Sequence, residues 1–141
     1  MLVDANILLY AVDRNSRFHE SASTWLTDAL NGNERVGLPW QSLIAFLRIA
    51  THPRASAQPL QPDEAWQVVD DWLSADLAWV PVPTARHRFI LHHLVATHQL
   101  AANLIPDAHL AALAIEHGVE VCSGDSDFAR FPDVRWSNPL R

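Results

Sequence analysis

Short apolar runs alternate with helical periods along almost the whole chain, and this alternation restricts the fold more than any other feature of the sequence. Met1 to Val3, Arg35 to Leu38, Leu77 to Val82, Val119 to Cys122 and Val134 to Trp136 read as strands. Between them lie stretches with apolar residues at i, i+3, i+4 and i+7. Phe18 to Leu30 carries Ala22, Trp25, Leu26, Ala29 and Leu30 on one face, and Asn31-Gly32-Asn33 stops it. Trp40 to Thr51 has Leu43, Phe46, Leu47 and Ala50 as its stripe. A helix begins at Pro62, with Asp63 and Glu64 against the positive end of its dipole. Thr84 is expected to cap a helix reaching about His98. Pro106 is expected to start another, ended by Gly118. Strands alternating with helices define an α/β domain with a mostly parallel sheet. The 141 residues suit a single domain, residues 1–141, with one core of ordinary size.

Against this frame four carboxylates stand out. Asp4 ends the first strand run, and Asp107 opens the alanine-rich helical stretch. Asp125 and Asp127 follow Val119 to Cys122. In an open parallel sheet, strand ends and helix starts share one edge, where ligands bind. A lone aspartate at such a place is ordinarily a cap or a turn former, but several at one edge repel. Two carboxylates 4 Å apart cost roughly 4 kcal/mol at an effective dielectric near 20. A divalent cation removes that cost. Ligands that are all oxygen, with no cysteine or compelling histidine, suit Mg2+, with Mn2+ able to substitute, rather than zinc. Asp4, Asp107 and Asp125 are the metal-ligand candidates; Asp127 and Asn6 join them as catalytic candidates. Asn6 is placed to bond a ligand carboxylate or a phosphate, or to cap the helix start.

Composition excludes other chemistry. The formal charge is −6, which argues against a generally basic nucleic-acid surface, although acids that hold a metal do not repel phosphate once it is bound. All 10 basic residues are arginine. With no lysine, a P-loop is ruled out, and so are phosphotransfer sites that need one. Arg48, His52 and Arg54 are candidate RNA phosphate contacts, with a solvated helix face as the bland reading. Arg86, His87, Arg88, His92 and His93 read as ordinary helix surface, and the eight histidines show no zinc spacing. The six tryptophans read as core or dimer contacts rather than base-stacking platforms. Cys122 has no partner for an internal disulfide, sits in a strand run and reads as structural, which suits a reducing cytoplasm. No segment is long enough to span a bilayer, and Asp4 with no basic n-region makes a signal peptide an unsuitable reading of the first residues.

Three motifs in this order carry a resemblance. Met1-Leu2-Val3-Asp4-Ala5-Asn6-Ile7-Leu8-Leu9-Tyr10, Pro106-Asp107-Ala108-His109-Leu110-Ala111-Ala112-Leu113-Ala114 and Ser123-Gly124-Asp125-Ser126-Asp127-Phe128-Ala129-Arg130-Phe131 resemble the acid motifs of PIN-domain ribonucleases. The nearest type is the VapC-like toxin of bacterial type II toxin–antitoxin pairs. The likeness includes Phe46 to Arg54 and spans nearly the whole chain. It implies a three-layer α/β/α fold with a mostly parallel sheet of four or five strands. It further implies a Mg2+-dependent endoribonuclease acting on structured RNA of the tRNA or rRNA class. A homodimer, a VapB-like antitoxin that blocks the site, and a bacterial cytoplasmic location complete the expectation. One departure stands out: the family places a glutamate in the middle helix, where this chain has Ala45. Gln41, Ala45, Arg48 and His52 share a face there, so Gln41 or a water can fill part of the gap. The reading therefore favours one metal ion over two, with Asp127 compensating. A catalytically weak or inactive PIN-like module that binds RNA or protein is the alternative.

Overall fold

The computed structural model describes every residue, Met1 to Arg141. Five short strands form one sheet: β1 (Leu2–Val3), β2 (Val36–Gly37), β3 (Ala78–Trp79), β4 (Val121–Cys122) and β5 (Trp136–Ser137). All four strand pairings are parallel, in the order β3-β2-β1-β4-β5. Six helices surround the sheet: α1 (Ala5–Val12), α2 (His19–Leu30), α3 (Trp40–Ala50), α4 (Pro62–Leu73), α5 (His87–His98) and α6 (Leu104–His117). No helix is long and apolar enough to cross a membrane.

The period of two along a strand divides the core. Leu2 points into one cluster with Leu94, Leu110, Leu113, Phe128 and Phe131, beneath α5 and α6. Its neighbour Val3 points into the other, with Ile7, Leu26, Leu43, Phe46 and Val69, beneath α1 to α4. This is the three-layer arrangement expected, with five strands and every pairing parallel. Gly37 lies at its tightest point, since a Cβ there would stand 2.5 Å from Leu2 Cδ2 and 3.0 Å from the Met1 carbonyl.

Several boundaries differ from the sequence reading. The third strand is only Ala78–Trp79 rather than Leu77 to Val82, and the last is Trp136–Ser137. Thr84 does not cap α5, which begins three residues later at His87. Its hydroxyl instead donates to Glu116 Oε1 at 2.7 Å, and its backbone N–H donates to the same oxygen at 2.8 Å. Pro106 does not start α6, which begins at Leu104. The proline lies within the first turn, where no intrahelical N–H is required. Gly118 ends α6 as expected, at φ 65°. None of the six tryptophans is fully buried, and Trp40 and Trp66 are exposed.

Candidate metal centre

The strand order reverses direction between β1 and β4, which neighbour each other although two strands, β2 and β3, lie between them in the chain. In open α/β sheets the crevice at such a switch point, beyond the carboxyl ends of the strands, receives the ligand. Asp4 leaves β1 there, and the Ser123-Gly124-Asp125 loop leaves β4 beside it. Asp4 caps α1: its Oδ1 accepts the Ala5 N–H at 2.7 Å. Asp125 caps the 3-10 turn Ser126–Arg130 by accepting the Asp127 N–H at 2.8 Å. Asp107 arrives from the first turn of α6.

One carboxylate oxygen from each of Asp107, Asp125 and Asp127 lies within 4.8 Å of the others. At that separation each charged pair repels by about 3–4 kcal/mol for an effective dielectric near 20. The effect is visible on Asp107. Desolvation raises its pKa from 3.8 to about 6, reinforced by the charges of Asp125, Asp4 and Asp127 and opposed only by Arg130. No hydrogen bond supports its charged form. Asp4 is also raised, by burial first and by Asp125, although bonds from Ser123 and Ala5 pull it down.

Asp4 lies outside that cluster of three, and both of its oxygens already accept hydrogen bonds. Ser123 Oγ donates to Asp4 Oδ2 at 2.7 Å and accepts the Asp125 N–H at 3.0 Å. Asn6 Nδ2 donates to the same hydroxyl at 3.1 Å and to Asp4 Oδ2 at 3.3 Å, while Asn6 Oδ1 accepts the Gly124 N–H at 3.1 Å. Asn6 therefore bonds a candidate ligand carboxylate and staples the β1 and β4 loops together; Asp4, not Asn6, is the helix cap. The donor set fits a hard divalent cation, being carboxylate oxygens that are close together, half-exposed and mutually repelling.

Two participants escaped the sequence reading. Ser123 is fully buried and organises Asp4, Asn6 and the Asp125 backbone at once. The only signal was a hydroxyl two residues before an acid. Arg130 pairs with Asp127 at 3.2 Å and is the one cation acting on Asp107; its spacing three residues after Asp127 in a short turn is the trace it leaves in the sequence. Arg48, His52 and Arg54 are not brought to the acids. They occupy the far end of α3 and the turn after it, whereas the near end of α3 touches the site through Gln41 Nε2, which donates to the Pro106 carbonyl at 2.8 Å. Seven residues of helix place Arg48 about 10 Å further along the axis than Gln41. Ala45 is half-buried on that helix, with no acid in its place. A concavity of about 560 Å3 lies elsewhere, at the C-terminal end of α1 among Tyr10, Phe46, Ile49 and Leu60. It lacks the clustered acids. Cys122 is buried and its thiol is pushed up to about 11, chiefly by that burial, so it is inert.

A second polar cluster lies on the α5–α6 side. Glu116, whose carboxylate is fully enclosed, accepts from His87 Nδ1 at 2.5 Å, and His87 Nε2 meets His109 Nδ1 at 3.0 Å. Burial pushes the Glu116 carboxyl up, but the bonds from His87 and Thr84 outweigh it and leave it below its usual value. Burial holds His109 down, with His87 adding to the effect. The network clamps the segment before α5 onto the end of α6.

An acidic cluster at the switch point of an all-parallel five-stranded sheet defines a class of α/β proteins, one whose gathered carboxylates are consistent with a metal site. Comparison gives that class its family. The PIN domain family model matches residues 1–134, and the chain belongs to that family. Ribonuclease VapC37 of Mycobacterium tuberculosis (strain ATCC 25618 / H37Rv) is 47% identical over 138 residues, 98% of this chain and 96% of the relative. Ribonuclease VapC33 of the same organism and strain is 40% identical over 141 residues, 100% of this chain and 99% of the relative. Among solved structures, that of VapBC2 from Rickettsia felis bound to a DNA fragment from their promoter superposes with a TM-score of 0.72. Its matched chain is 16% identical, with 97% of this chain and 96% of that chain covered, a likeness of fold.

Proposed function

We propose that the protein is a Mg2+-dependent endoribonuclease, the toxin of a toxin–antitoxin pair, which hydrolyses phosphodiester bonds in structured RNA of the tRNA or rRNA class. The observation that carries the reading is the convergence of Asp107, Asp125 and Asp127 within 4.8 Å, with Asp4 in electrostatic contact behind them. Two relatives of nearly the same length carry the name ribonuclease VapC, which supports the activity. Asp4, Asp107 and Asp125 would hold the ion, with Mn2+ as a substitute. A bound dication supplies a Lewis acid for the scissile phosphate and makes water a better nucleophile near neutral pH. Asn6 and Ser123 fix Asp4, and Asp127 and Asp125 stand where they can orient the attacking water. Arg130 is placed to receive a phosphate oxygen through its planar fork. A VapB-like antitoxin is the partner we assign, in keeping with the VapBC2 structure that shares the fold; that it blocks the site, and that the chain is a homodimer in the bacterial cytoplasm, follows from the family resemblance alone.

Cleavage of total RNA with purified protein tests this. Scission should require Mg2+ or Mn2+, and Asp4→Ala and Asp125→Asn should abolish it with the fold intact. Cleavage that survives both substitutions refutes the reading. One observation favours a second reading, a PIN-like module of low or no activity: Ala45 stands half-buried on α3 where the family places an acid. Calorimetric titration separates the two, since an inactive module of this kind gives no Mn2+ heat at millimolar metal.

A further inference from the structure

One side chain joins the concavity at the end of α1 to the metal centre. Tyr10 lines the cavity, yet its ring also packs against the loop that carries Asp125: a Cβ on Gly124 would stand 3.8 Å from Tyr10 Cε2. Asn6 and Tyr10 lie at i and i+4 on α1, so one face of that helix runs from the staple on Asp4 to the cavity. Tyr10, Ile49 and Leu60 supply apolar wall, and Arg14, Asn15 and Gln58, all exposed, supply a polar rim. More cations flank this rim. The Arg17 guanidinium lies 4.6 Å from the centre of the Phe18 ring, which meets the Tyr10 ring at 5.1 Å. Arg54 directly precedes Ala55, a residue of the cavity wall. None of Arg14, Arg17 and Arg54 belongs to an ion pair. The acid at the rim, Asp13, already accepts the Asn15 N–H at 3.0 Å. Beyond Leu60, Asp63 and Glu64 each accept a backbone N–H at the start of α4.

We propose that this cavity is a substrate subsite, which takes one unpaired nucleobase of the RNA near the bond cut at the metal centre. The inference rests on the endoribonuclease reading for the chemical class of the substrate. Proteins read RNA sequence mainly where bases are splayed out of a helix, by stacking them on aromatic rings and bonding their polar edges. A cavity of about 560 Å3 is of the size that encloses a small organic group. Tyr10 supplies the aromatic ring. The side-chain amides of Asn15 and Gln58 each offer a donor and an acceptor to a base edge. Arg14 stands at the rim to take a flanking phosphate through its planar fork. Arg17, on the α1–α2 connection, and Arg54, on the turn after α3, extend the positive charge on the two sides. Arg54, which is not brought to the acids, thereby gains a role at a second place along the RNA. An apolar peptide side chain is the poorer occupant, because it would leave these guanidinium and amide groups without partners. Because Tyr10 ties the cavity to the Asp125 loop, the base held there fixes which phosphate lies over the acids. Cleavage then falls at a set distance from one preferred base.

Nuclear magnetic resonance of the isotope-labelled full chain, titrated with the four ribonucleoside monophosphates, tests the inference without relying on cleavage. Amide shifts should saturate at Tyr10, Asn15, Ser56 and Gln58, and one nucleotide should bind most tightly. Ala55→Trp, at an exposed lining position, fills the cavity with its larger side chain. It should abolish those shifts while leaving Mn2+ affinity and the circular dichroism spectrum unchanged. On an RNA oligonucleotide that the wild type cuts, Ala55→Trp should raise KM about tenfold and Arg14→Ala about threefold with kcat little altered, since the binding lost is common to the ground and transition states. No saturable shift with any nucleotide overturns the inference, as do shifts confined to residues outside the cavity or a KM indifferent to both variants. N-acetylphenylalaninamide that saturates these amides when no nucleotide does would assign the cavity to a protein side chain and overturn it too. A chain that takes a nucleotide here but cuts no RNA sinks the endoribonuclease reading and leaves the subsite standing as an RNA contact. Mn2+-dependent cleavage with an unresponsive cavity does the reverse.

Discussion

Replacing Asp107 by asparagine should make the metal-free protein more stable while removing its response to metal. The folded pKa of Asp107 is about 6 against a reference of 3.8, raised by desolvation first and then by Asp125, Asp4 and Asp127. An acid with a raised folded pKa binds its proton more tightly in the native state, so stability falls as pH climbs from 3.8 to about 6. At 1.36 kcal/mol per pH unit, a shift of about two units sets a ceiling of about 3 kcal/mol. About half of the residue's environment is solvent, and screening reduces this to about 1–2 kcal/mol. Asparagine keeps the shape and removes the charge. At pH 7.5, without metal, Asp107→Asn should melt about 3–6 °C above the wild type. At pH 4, where the wild-type carboxyl is already protonated in the fold, most of that gain should vanish. Mn2+ at 100 times its dissociation constant should then add about 2.7 kcal/mol to the wild type and little to the variant. Scanning calorimetry at the two pH values, with and without Mn2+, reads all four quantities. A metal-free Asp107→Asn protein at least 1 kcal/mol less stable than wild type at pH 7.5, or a gain that does not change with pH, would refute the reasoning.

Ser123→Ala should cost about 2–3 kcal/mol in urea denaturation, because it strips a buried bond from Asp4 and leaves the Asp125 N–H without its partner; it should also weaken Mn2+ affinity through Asp4. Glu116→Gln should cost about 2 kcal/mol by removing the charge-assisted bond to His87. The folded pKa of Glu116 is depressed, so its contribution is present above the ordinary value of 4.5 and is lost as pH falls through the lower folded value. Acid titration of stability should accordingly show a step in the wild type, below pH 4.5, that Glu116→Gln lacks. Gly37→Ala should destabilise by about 1–3 kcal/mol, since its new methyl would press on Leu2 and the Met1 carbonyl.

Much of the site was legible because its residues sit at ends of elements that local patterns define. Apolar runs located Asp4 and Asp125 at strand exits, and the alanine-rich period located Asp107 at a helix start. A parallel sheet then forces strand exits to one edge, so their convergence followed from the fold class. What the sequence did not disclose depends on distance along the chain. Thr84 looked like a helix cap because the residues after it are helical, but its partner Glu116 is 32 positions away. Ser123 carried no signal of its role because two of its partners, Asp4 and Asn6, lie more than a hundred positions away. His87 and His109 share no spacing on one helix and meet only when α5 packs on α6. Arg48 shares a helical face with Gln41, yet helix rise alone carries it away from the acids. Trp25, Trp72, Trp79 and Trp136 pack against the core as expected, but periodicity gives only the side of a helix a residue occupies, not whether another element covers that side. Trp40 and Trp66 have each other and little else.

A crystal grown with Mn2+ and measured at the manganese edge addresses the metal centre most directly. One anomalous peak should lie about 2.0–2.3 Å from carboxylate oxygens of Asp4, Asp107 and Asp125, with Asp127 beside it, and it should disappear in Asp107→Asn. A fully loaded crystal with no peak between these aspartates, or with the ion bound elsewhere, would contradict the assignment of this crevice as the place where a dication relieves the repulsion of the gathered acids.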